Sequence, residues 1–235
     1  LDDAIGLVSS VDVAEYSGER TLPLINRITE NDISPDTLQL IFTSLPDDRR
    51  EPIKAIYDQY RKCLIETNSL DFPAMIAEAL KLVRDMPAVC KQVRRIYKFI
   101  CVDEFQDTNL SQYAFMKCLV GEAEKNLFVV ADDDQIIYQW NGASPERLLG
   151  LRTDFGMSVV QLPANYRCPP SVIDLANKLI AHNVSRSADK DKLLALKTTA
   201  GGQAVRLARF PDFDSEATWV AADIASRPLV ERQRC

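Results

Sequence analysis

Residues 99–109 read FICVDEFQDTN, an apolar strand that runs directly into two adjacent carboxylates. In open α/β sheets the ligand crevice lies outside the carboxyl ends of the strands, which is where Asp103 and Glu104 would lie. Asp103 then suits a divalent metal such as Mg²⁺, which prefers oxygen ligands, and Glu104 suits the activation of an attacking water. The alternative is an ordinary strand that meets a loop, with both acids simply solvated.

Two further blocks follow at intervals of about thirty residues, and each begins with an apolar run. They read LFVVADDDQIIYQWNGAS at 127–144 and VVQLPANYR at 159–167. We predict strands over 99–102, 127–130 and 158–162, with helical patterns between them. Strands and helices that alternate at this length predict an α/β fold with a parallel sheet and helices on its faces.

These three blocks resemble, in order and spacing, motifs II, III and IV of the superfamily 1 helicases of the UvrD/Rep type. The resemblance covers about residues 50–225 and is strongest over 96–183. It implies a P-loop NTPase with RecA-like motor domains that uses ATP and Mg²⁺ and has single-stranded and duplex DNA as partners. The implied activity is ATP-dependent translocation on single-stranded DNA with duplex unwinding in the 3′ to 5′ direction, in DNA repair or replication.

The resemblance also implies roles for single residues at the nucleotide. The first block is the Walker B segment, in which Asp103 binds Mg²⁺ and the nucleotide while Glu104 is catalytic. Gln135 is the motif III glutamine that senses the terminal phosphate, an amide that can donate and accept at once. Arg167 is the motif IV arginine that reaches the same phosphate, and Tyr166 stacks on the adenine ring.

Three residues of the second block are candidates for DNA contact. Tyr138 and Trp140 are two positions apart, so on an extended segment their side chains share a face. The resemblance implies that they stack on bases, a contact worth roughly 1–3 kcal/mol per base that tolerates any sequence. The alternative is two aromatic side chains buried under a loop. Asn141 stands where the family commonly has an arginine, which puts the DNA contact at this position in doubt.

We predict three parts along the chain. Residues 1–68 form part of a helical insertion, 69–160 the C-terminal part of a first RecA-like motor domain, and 161–235 the start of a second. Asp71 is predicted to cap a helix, and residues 183–203 to form a loop. Two apolar stripes at helical spacing predict core-facing helices: Ile53, Ile56, Tyr57, Tyr60, Cys63 and Leu64, and Phe72, Met75, Ile76, Ala79, Leu80 and Val83.

Further elements are predicted from their end signals. Helices are expected over about 109–120, from Ser144, from Pro169 and over 215–225. The helix that follows Pro169 carries Val172, Leu175, Ala176, Leu179 and Ile180 on one face. A strand is expected over 204–208.

Composition excludes some classes of protein. The chain has 235 residues, a net charge of −6 and a pI near 5.0, which argues against a simple electrostatic DNA clamp. No apolar stretch reaches the length that spans a membrane, so no membrane partner is expected. The six cysteines form no C-x-x-C pair and there is one histidine, which argues against a zinc site and favours a reducing, cytoplasmic setting. Cys101 and Cys118 are predicted to be small core residues.

No G-x-x-x-x-G-K-[ST] segment occurs in the chain, so the phosphate cradle and its lysine are missing, as are motifs V and VI. We therefore interpret the chain as an internal piece of a larger helicase, and expect that the piece alone hydrolyses no ATP. Two alternatives stay open: a catalytically inactive, helicase-like module that binds DNA or protein, and a helicase–nuclease relative. The intact acids and Arg167 speak against the inactive module.

Overall fold

The computed structural model divides the chain into two compact units. It describes residues 1–8, 15–30, 45–120, 126–137, 144–183, 189–197, 205 and 207–228. The first unit comprises residues 1–160 and 183–190, and the second comprises 161–182 and 191–235. The division into three parts predicted above stays a prediction.

Helices make up most of the described chain. In chain order they are α1 (Asp2–Gly6), α2 (Gly18–Glu30), α3 (Asp47–Glu66), α4 (Phe72–Asp85), α5 (Pro87–Ile96), α6 (Leu110–Val120), α7 (Pro145–Phe155), α8 (Pro170–Ile180) and α9 (Phe213–Ser226). The strands are β1 (Ile100–Val102), β2 (Leu127–Val129), β3 (Ala164–Asn165) and β4 (Leu194–Ala195). Among the described helices, none is long and apolar enough to cross a membrane.

The N-terminal helices enclose a core of their own. The predicted face of α3 is confirmed, since Ile53, Ile56 and Tyr57 are all buried. They belong to a cluster of buried apolar residues that α1, α2, α3 and the segment before α2 contribute: Ile5, Tyr16, Ile25, Ile28, Ile53, Ile56 and Tyr57. Burial of this many large side chains stabilises the helices far more than their intrinsic propensity does.

Helix α4 begins as predicted and buries part of the predicted stripe, at Leu80 and Val83. Asp71 caps it, because its Oδ1 accepts a hydrogen bond from the backbone N–H of Ala74 at 2.7 Å. The predicted stripe is wrong at its start, since Phe72 is 84% exposed. The buried positions are Ala74, Ala77, Leu80 and Val83. The small side chains of Ala74 and Ala77 allow α4 to pack closely against α2 and α6.

The predicted parallel pairing of the first two strands is confirmed. Ile100 pairs with Leu127 and Val102 with Val129 in a parallel register. One face of these strands packs on a second buried cluster that α6, α7 and the turn after β1 supply: Phe105, Tyr113, Met116, Val120, Leu151 and Phe155. Helices were expected on both faces, but in the described residues the other face, with Cys101 and Phe128, is exposed.

Other predictions in the first unit have mixed outcomes. Helices α6 and α7 lie where they were expected, and α7 follows Ser144. Helix α5 was not predicted, although Pro87 at its first position is a start signal. The prediction that Cys101 and Cys118 are core residues is wrong, because Cys101 is exposed and Cys118 is half-buried.

The second unit holds a separate pair of parallel strands, β3 and β4. The predicted strand over 158–162 is wrong: that segment pairs with no strand in the described residues, and Val160 and Leu162 are largely exposed. The pairing starts at Ala164 instead, and its partner β4 lies inside the predicted loop. Of the predicted strand over 204–208, residues 205, 207 and 208 lie in no strand, and 204 and 206 lie outside the described residues.

The two helices of this unit are confirmed, with different burial. Helix α9 extends the predicted range by two residues at its start and one at its end, and Asp212 caps it. Helix α8 was expected to present one apolar face, yet Ile173 is the buried residue and Leu175 and Leu179 are exposed. The described part of the second unit therefore buries little apolar surface.

Candidate active site

The carboxylates that follow β1 stand at the carboxyl edge of the parallel pair. Backbone pairing continues past the strand, because the N–H of Phe105 donates to the carbonyl of Val130 at 3.1 Å. Between β1 and Phe105, the backbone of Glu104 adopts the left-handed conformation, with φ 49° and ψ 41°. Residues 105–107 then form one 3₁₀ turn. This reversal leaves Asp103 and Glu104 exposed at the edge, as open α/β sheets expose their ligand-binding residues.

Phe105 anchors this turn from below. It is 1% exposed, and its ring meets that of Tyr113 edge-on, with centroids 5.9 Å apart. Arg147 on α7 fixes the far end of the turn, because its Nη2 donates to the carbonyl of Thr108 at 2.9 Å. A rigid support of this kind holds the neighbouring carboxylates in place.

Gln106 joins the two strand ends, a role that the sequence analysis missed. Its side chain is only 2% exposed and uses both ends of its amide. Nε2 donates to Oε2 of Glu104 at 2.6 Å, and Oε1 accepts from the backbone N–H of Asp132 at 3.0 Å. No local signal in the sequence indicates this role, because one of the two partners of Gln106 lies 26 residues away along the chain.

Asp132 organises the segment that follows β2. It caps a 3₁₀ turn over 133–135, its Oδ1 accepting from the backbone N–H of Asp134 at 3.1 Å. Its other oxygen, Oδ2, accepts from Nε2 of Gln135 at 2.6 Å. Gln135, an exposed residue of motif III, is thereby tied through Asp132 and Gln106 to Glu104.

Lys190 supplies a cation to three adjacent carboxylates, a second role that the sequence analysis missed. Oxygens of Asp132, Asp133 and Asp134 lie within 4.8 Å of one another, a cluster of like charges that could hold a metal. Nζ of Lys190 forms ion pairs with all three, at 2.9 Å to Asp134. Lys190 lies more than fifty residues along the chain from these carboxylates, so no local sequence pattern predicts the contact.

The ionisation of these groups reflects the pairing. Burial alone would lower the pKa of Lys190, but its hydrogen bonds to Asp132, Asp133 and Asp134 outweigh burial and raise it. Burial alone would raise the pKa of Asp132, but hydrogen bonds from Lys190 and Gln135 hold it below the ordinary carboxyl value. Both shifts favour the charged forms, so the ammonium of Lys190 offsets part of the negative charge of the cluster.

In the second unit, Asn165 holds the backbone of motif IV. Its Oδ1 accepts from the N–H groups of Arg167 at 3.0 Å and of Cys168 at 2.8 Å. Nζ of Lys197 donates to the carbonyl of Arg167 at 3.1 Å. The side chains are not held in this way: Tyr166 is 73% exposed, and the guanidinium of Arg167 makes no hydrogen bond or ion pair with any described residue.

The structure thus gathers three of the predicted site residues, Asp103, Glu104 and Gln135, within the first unit. Tyr166 and Arg167 are adjacent in the second unit. The predicted DNA contacts Tyr138, Trp140 and Asn141 lie outside the described residues.

Comparison with known proteins bears on the same segments. Residues 9–156 match the family model of the UvrD/REP helicase N-terminal domain, which includes the whole edge after β1 and β2. The chain belongs to the UvrD/REP helicase family. Its resemblance to superfamily 1 helicases of this type, inferred above from motifs II, III and IV, is confirmed.

Individual relatives of the UvrD/REP family extend the similarity. The chain is 30% identical over 233 residues to DNA helicase II of Rickettsia typhi, covering 99% of this chain and 34% of that protein. It is 30% identical over 227 residues to ATP-dependent DNA helicase UvrD1 of Mycobacterium tuberculosis, covering 94% of this chain and 29% of that protein. It is 38% identical over 135 residues to ATP-dependent DNA helicase PcrA of Bacillus subtilis, covering 57% and 18%. The chain therefore spans about a third of the length of the first of these relatives.

The donor set at this UvrD/REP edge fits a hard divalent cation. Asp103 offers a carboxylate at an exposed strand end, and in the described part of the chain only its Oδ1 accepts a hydrogen bond, from the N–H of Glu104 at 3.0 Å. Carboxylate oxygens together with water are the ligands that Mg²⁺ prefers. Chemically, the edge can hold a metal and place a second carboxylate beside it.

Proposed function

We propose that the complete protein couples hydrolysis of Mg-ATP to translocation on single-stranded DNA and to unwinding of duplex DNA. The observation that carries this proposal is the pair of exposed carboxylates after β1, hydrogen-bonded through Gln106 and Asp132 to the glutamine of motif III. The names of the relatives, DNA helicases described as ATP-dependent in two cases, support it. Unwinding in the 3′ to 5′ direction and a place in repair or replication follow from family resemblance.

The two carboxylates divide the chemistry between metal and water. Asp103 holds Mg²⁺ directly or through water, and the metal neutralises phosphate charge when it is bound. Glu104 accepts the proton of the attacking water. One of its oxygens, Oε2, accepts a hydrogen bond from Gln106, which leaves Oε1 the better placed of the two to take the proton.

Charge on the terminal phosphate is recognised by the remaining motif residues. The Gln135 amide donates to a phosphate oxygen, and the guanidinium of Arg167 stabilises spread negative charge with paired hydrogen bonds. Tyr166, exposed beside it, stacks on the adenine ring. Tyr138 and Trp140 stack on DNA bases. The neighbouring Asn141 carries no positive charge, in contrast to the arginine that is common at this position in the family.

The test is ATP hydrolysis by the complete protein with and without single-stranded DNA, for the wild type and for Glu104→Gln. The substitution keeps the size of the side chain and removes its basicity, so kcat should fall by about 10²-fold or more. Glu66→Gln is the matched control, because Glu66 is exposed and pairs only loosely with Lys62 at 3.8 Å. It should leave hydrolysis unchanged.

Two results would contradict the proposal. A folded wild type that hydrolyses no ATP would favour the catalytically inactive helicase-like module. An unchanged kcat in Glu104→Gln would remove Glu104 from the mechanism. The 235-residue chain on its own, which carries no G-x-x-x-x-G-K-[ST] segment, is proposed to hydrolyse no ATP.

We also propose a domain organisation and a cellular setting. Residues 1–68 are assigned to a helical insertion, 69–160 to the first motor domain and 161–235 to the second. A reducing, cytoplasmic environment agrees with the five described cysteines, all of which are free thiols.

A further inference from the structure

We propose that Gln106 is a positioning residue that fixes the carboxylate of Glu104 relative to Asp132 and Gln135. This inference rests on the function proposed above. In this arrangement the group that activates water and the group that senses phosphate are held as one hydrogen-bonded unit.

The surroundings of the Gln106 amide suit a positioning role. It is nearly inaccessible to solvent, and its two ends bond to two different segments, the turn after β1 and the turn after β2. A buried amide that loses either partner leaves a desolvated polar group, so both bonds are strongly favoured. The backbone bond from Phe105 to Val130 joins the same segments but does not touch a side chain of the site.

Glu104 needs an external support. Its backbone is left-handed and its side chain is exposed, so packing does not select a rotamer for the carboxylate. The 2.6 Å bond from Nε2 of Gln106 selects one. That bond is charge-assisted and therefore stronger than one between neutral groups.

The other end of the unit is equally fixed. The N–H of Asp132 donates to Gln106 while its carboxylate accepts from Gln135 and from Lys190. Because Lys190 keeps Asp132 charged, Asp132 remains an acceptor for the amide of Gln135. The path from Glu104 to Gln135 thus consists of three consecutive hydrogen bonds within one compact unit.

A purely structural amide would have different kinetic consequences. If Gln106 only satisfied the turn, its loss would lower the amount of folded protein and leave the kcat of the folded fraction unchanged. If it positions Glu104, its loss should lower kcat while the KM for ATP stays the same, because Gln106 itself contacts no nucleotide in the proposed mechanism.

The experiment measures steady-state ATP hydrolysis of the complete protein at saturating single-stranded DNA for Gln106→Glu and Gln106→Met. Gln106→Glu keeps size and acceptor but removes the donor and sets a second carboxylate against Glu104. Gln106→Met removes both bonds. For each we expect kcat about tenfold lower, the effect of one lost charge-assisted hydrogen bond, with KM for ATP within about twofold.

Gln112→Glu is the matched control. Gln112 is exposed on the same motif-bearing segment, and its Oε1 accepts from the N–H of Asn109 at 2.9 Å. A carboxylate at position 112 still accepts that bond, so kcat should not change.

A swap tests the hydrogen bond between positions 104 and 106 directly, even if the single variants are unstable. In the double variant Glu104→Gln, Gln106→Glu, the new amide at 104 can donate to the new carboxylate at 106, which restores one donor and one acceptor. Its melting temperature should recover most of what Gln106→Glu loses, although the double variant is inactive.

The outcomes distinguish the inference from the proposed function. A wild type without DNA-stimulated hydrolysis overturns the proposed function and the inference with it. An active wild type together with an unchanged kcat in the Gln106 variants, an equal loss in Gln112→Glu, or a swap no more stable than Gln106→Glu overturns the inference alone. Lower kcat at constant KM, with recovery in the swap, supports it.

Discussion

Two edges of the molecule differ in how their candidate functional side chains are held. The first edge follows β1 and β2, and the second follows β3. In the first, side chains hold one another: Gln106 binds Glu104, and Asp132 binds Gln135. In the second, Asn165 holds only backbone, and the side chain of Arg167 is exposed. In the proposed mechanism, carboxylates that hold a metal and a water benefit from fixed positions, whereas a cation that reaches its ligand only in a bound state benefits from freedom.

The apolar packing is also more extensive at the first edge than in the described part of the second unit. Phe105 and its neighbours form a closed apolar cluster under the first edge. In the described part of the second unit, the one buried apolar side chain is that of Ile173. Local stability follows buried apolar contact, so the first edge should be the more rigid of the two.

The largest effect should come from the core beneath the first edge. Phe105→Ala should lower the free energy of unfolding of the 235-residue chain by about 3–5 kcal/mol, because it opens a cavity under the turn. Tyr166→Ala, an aromatic truncation at the exposed second edge, should change it by less than about 0.5 kcal/mol. Urea unfolding measures both, and equal losses would break the comparison.

A smaller effect should follow removal of the cation at the first edge. Lys190→Ala leaves three adjacent carboxylates without this ammonium and should cost about 1–3 kcal/mol of unfolding free energy. Nζ of Lys190 contacts all three, and its side chain is 21% exposed, so the loss should be below that of a fully buried pair. Lys192→Ala is the control, because Lys192 is exposed two positions away. Equal losses in the two variants would show that the ion pairs contribute nothing.

The same variant should change the acid limb of the stability profile. Since the pKa of Asp132 is lower in the folded chain than in the unfolded chain, its contribution is present above the unfolded value, near 3.9, and is lost as pH falls through the folded value. Lys190→Ala removes a main cause of that shift. Its unfolding free energy should therefore depend less on pH below about 4 than that of the wild type.

The smallest effect should appear at the second edge. Asn165→Ala removes the acceptor of two backbone N–H groups and should cost about 1 kcal/mol, while Asn165→Asp keeps the acceptor and should cost less. Amide hydrogen exchange at Arg167 and Cys168 should accelerate in the alanine variant. If exchange there is unchanged, Asn165 does not order motif IV.

How far the sequence predicts this fold depends on whether the signal is local. The strands at 100–102 and 127–129, the Asp71 cap and helices α6, α7 and α9 each carry apolar periodicity or end signals within a few residues. The strand expected at 158–162 carries the same apolar signal, yet β3 forms later, at Ala164, because β4 pairs there. A strand forms only where a partner strand pairs with it. The sequence of one strand does not indicate where a partner thirty residues away will lie.

The candidate site shows the same limit. Asp103 and Glu104 were predicted from a strand that ends in two carboxylates, and Gln135, Tyr166 and Arg167 from the resemblance of their motifs to those of a family. The structure places Asp103, Glu104 and Gln135 together. Gln106 and Lys190 were missed. One of the two partners of Gln106 is a backbone N–H 26 residues away, and Lys190 lies more than fifty residues from its carboxylates. Such contacts exist only once the chain has folded.

Because the backbone at Glu104 is left-handed, selection for folding stability and selection for function should favour different residues at this position. A side chain at φ 49° is disfavoured by roughly 1–2 kcal/mol relative to glycine, so a library randomised at this position and sorted only for resistance to protease should enrich glycine and asparagine. A library sorted for growth that depends on the proposed ATP hydrolysis should retain glutamate. Divergence between the two pools would show how much folding stability the chain gives up at a single position in order to keep one carboxylate.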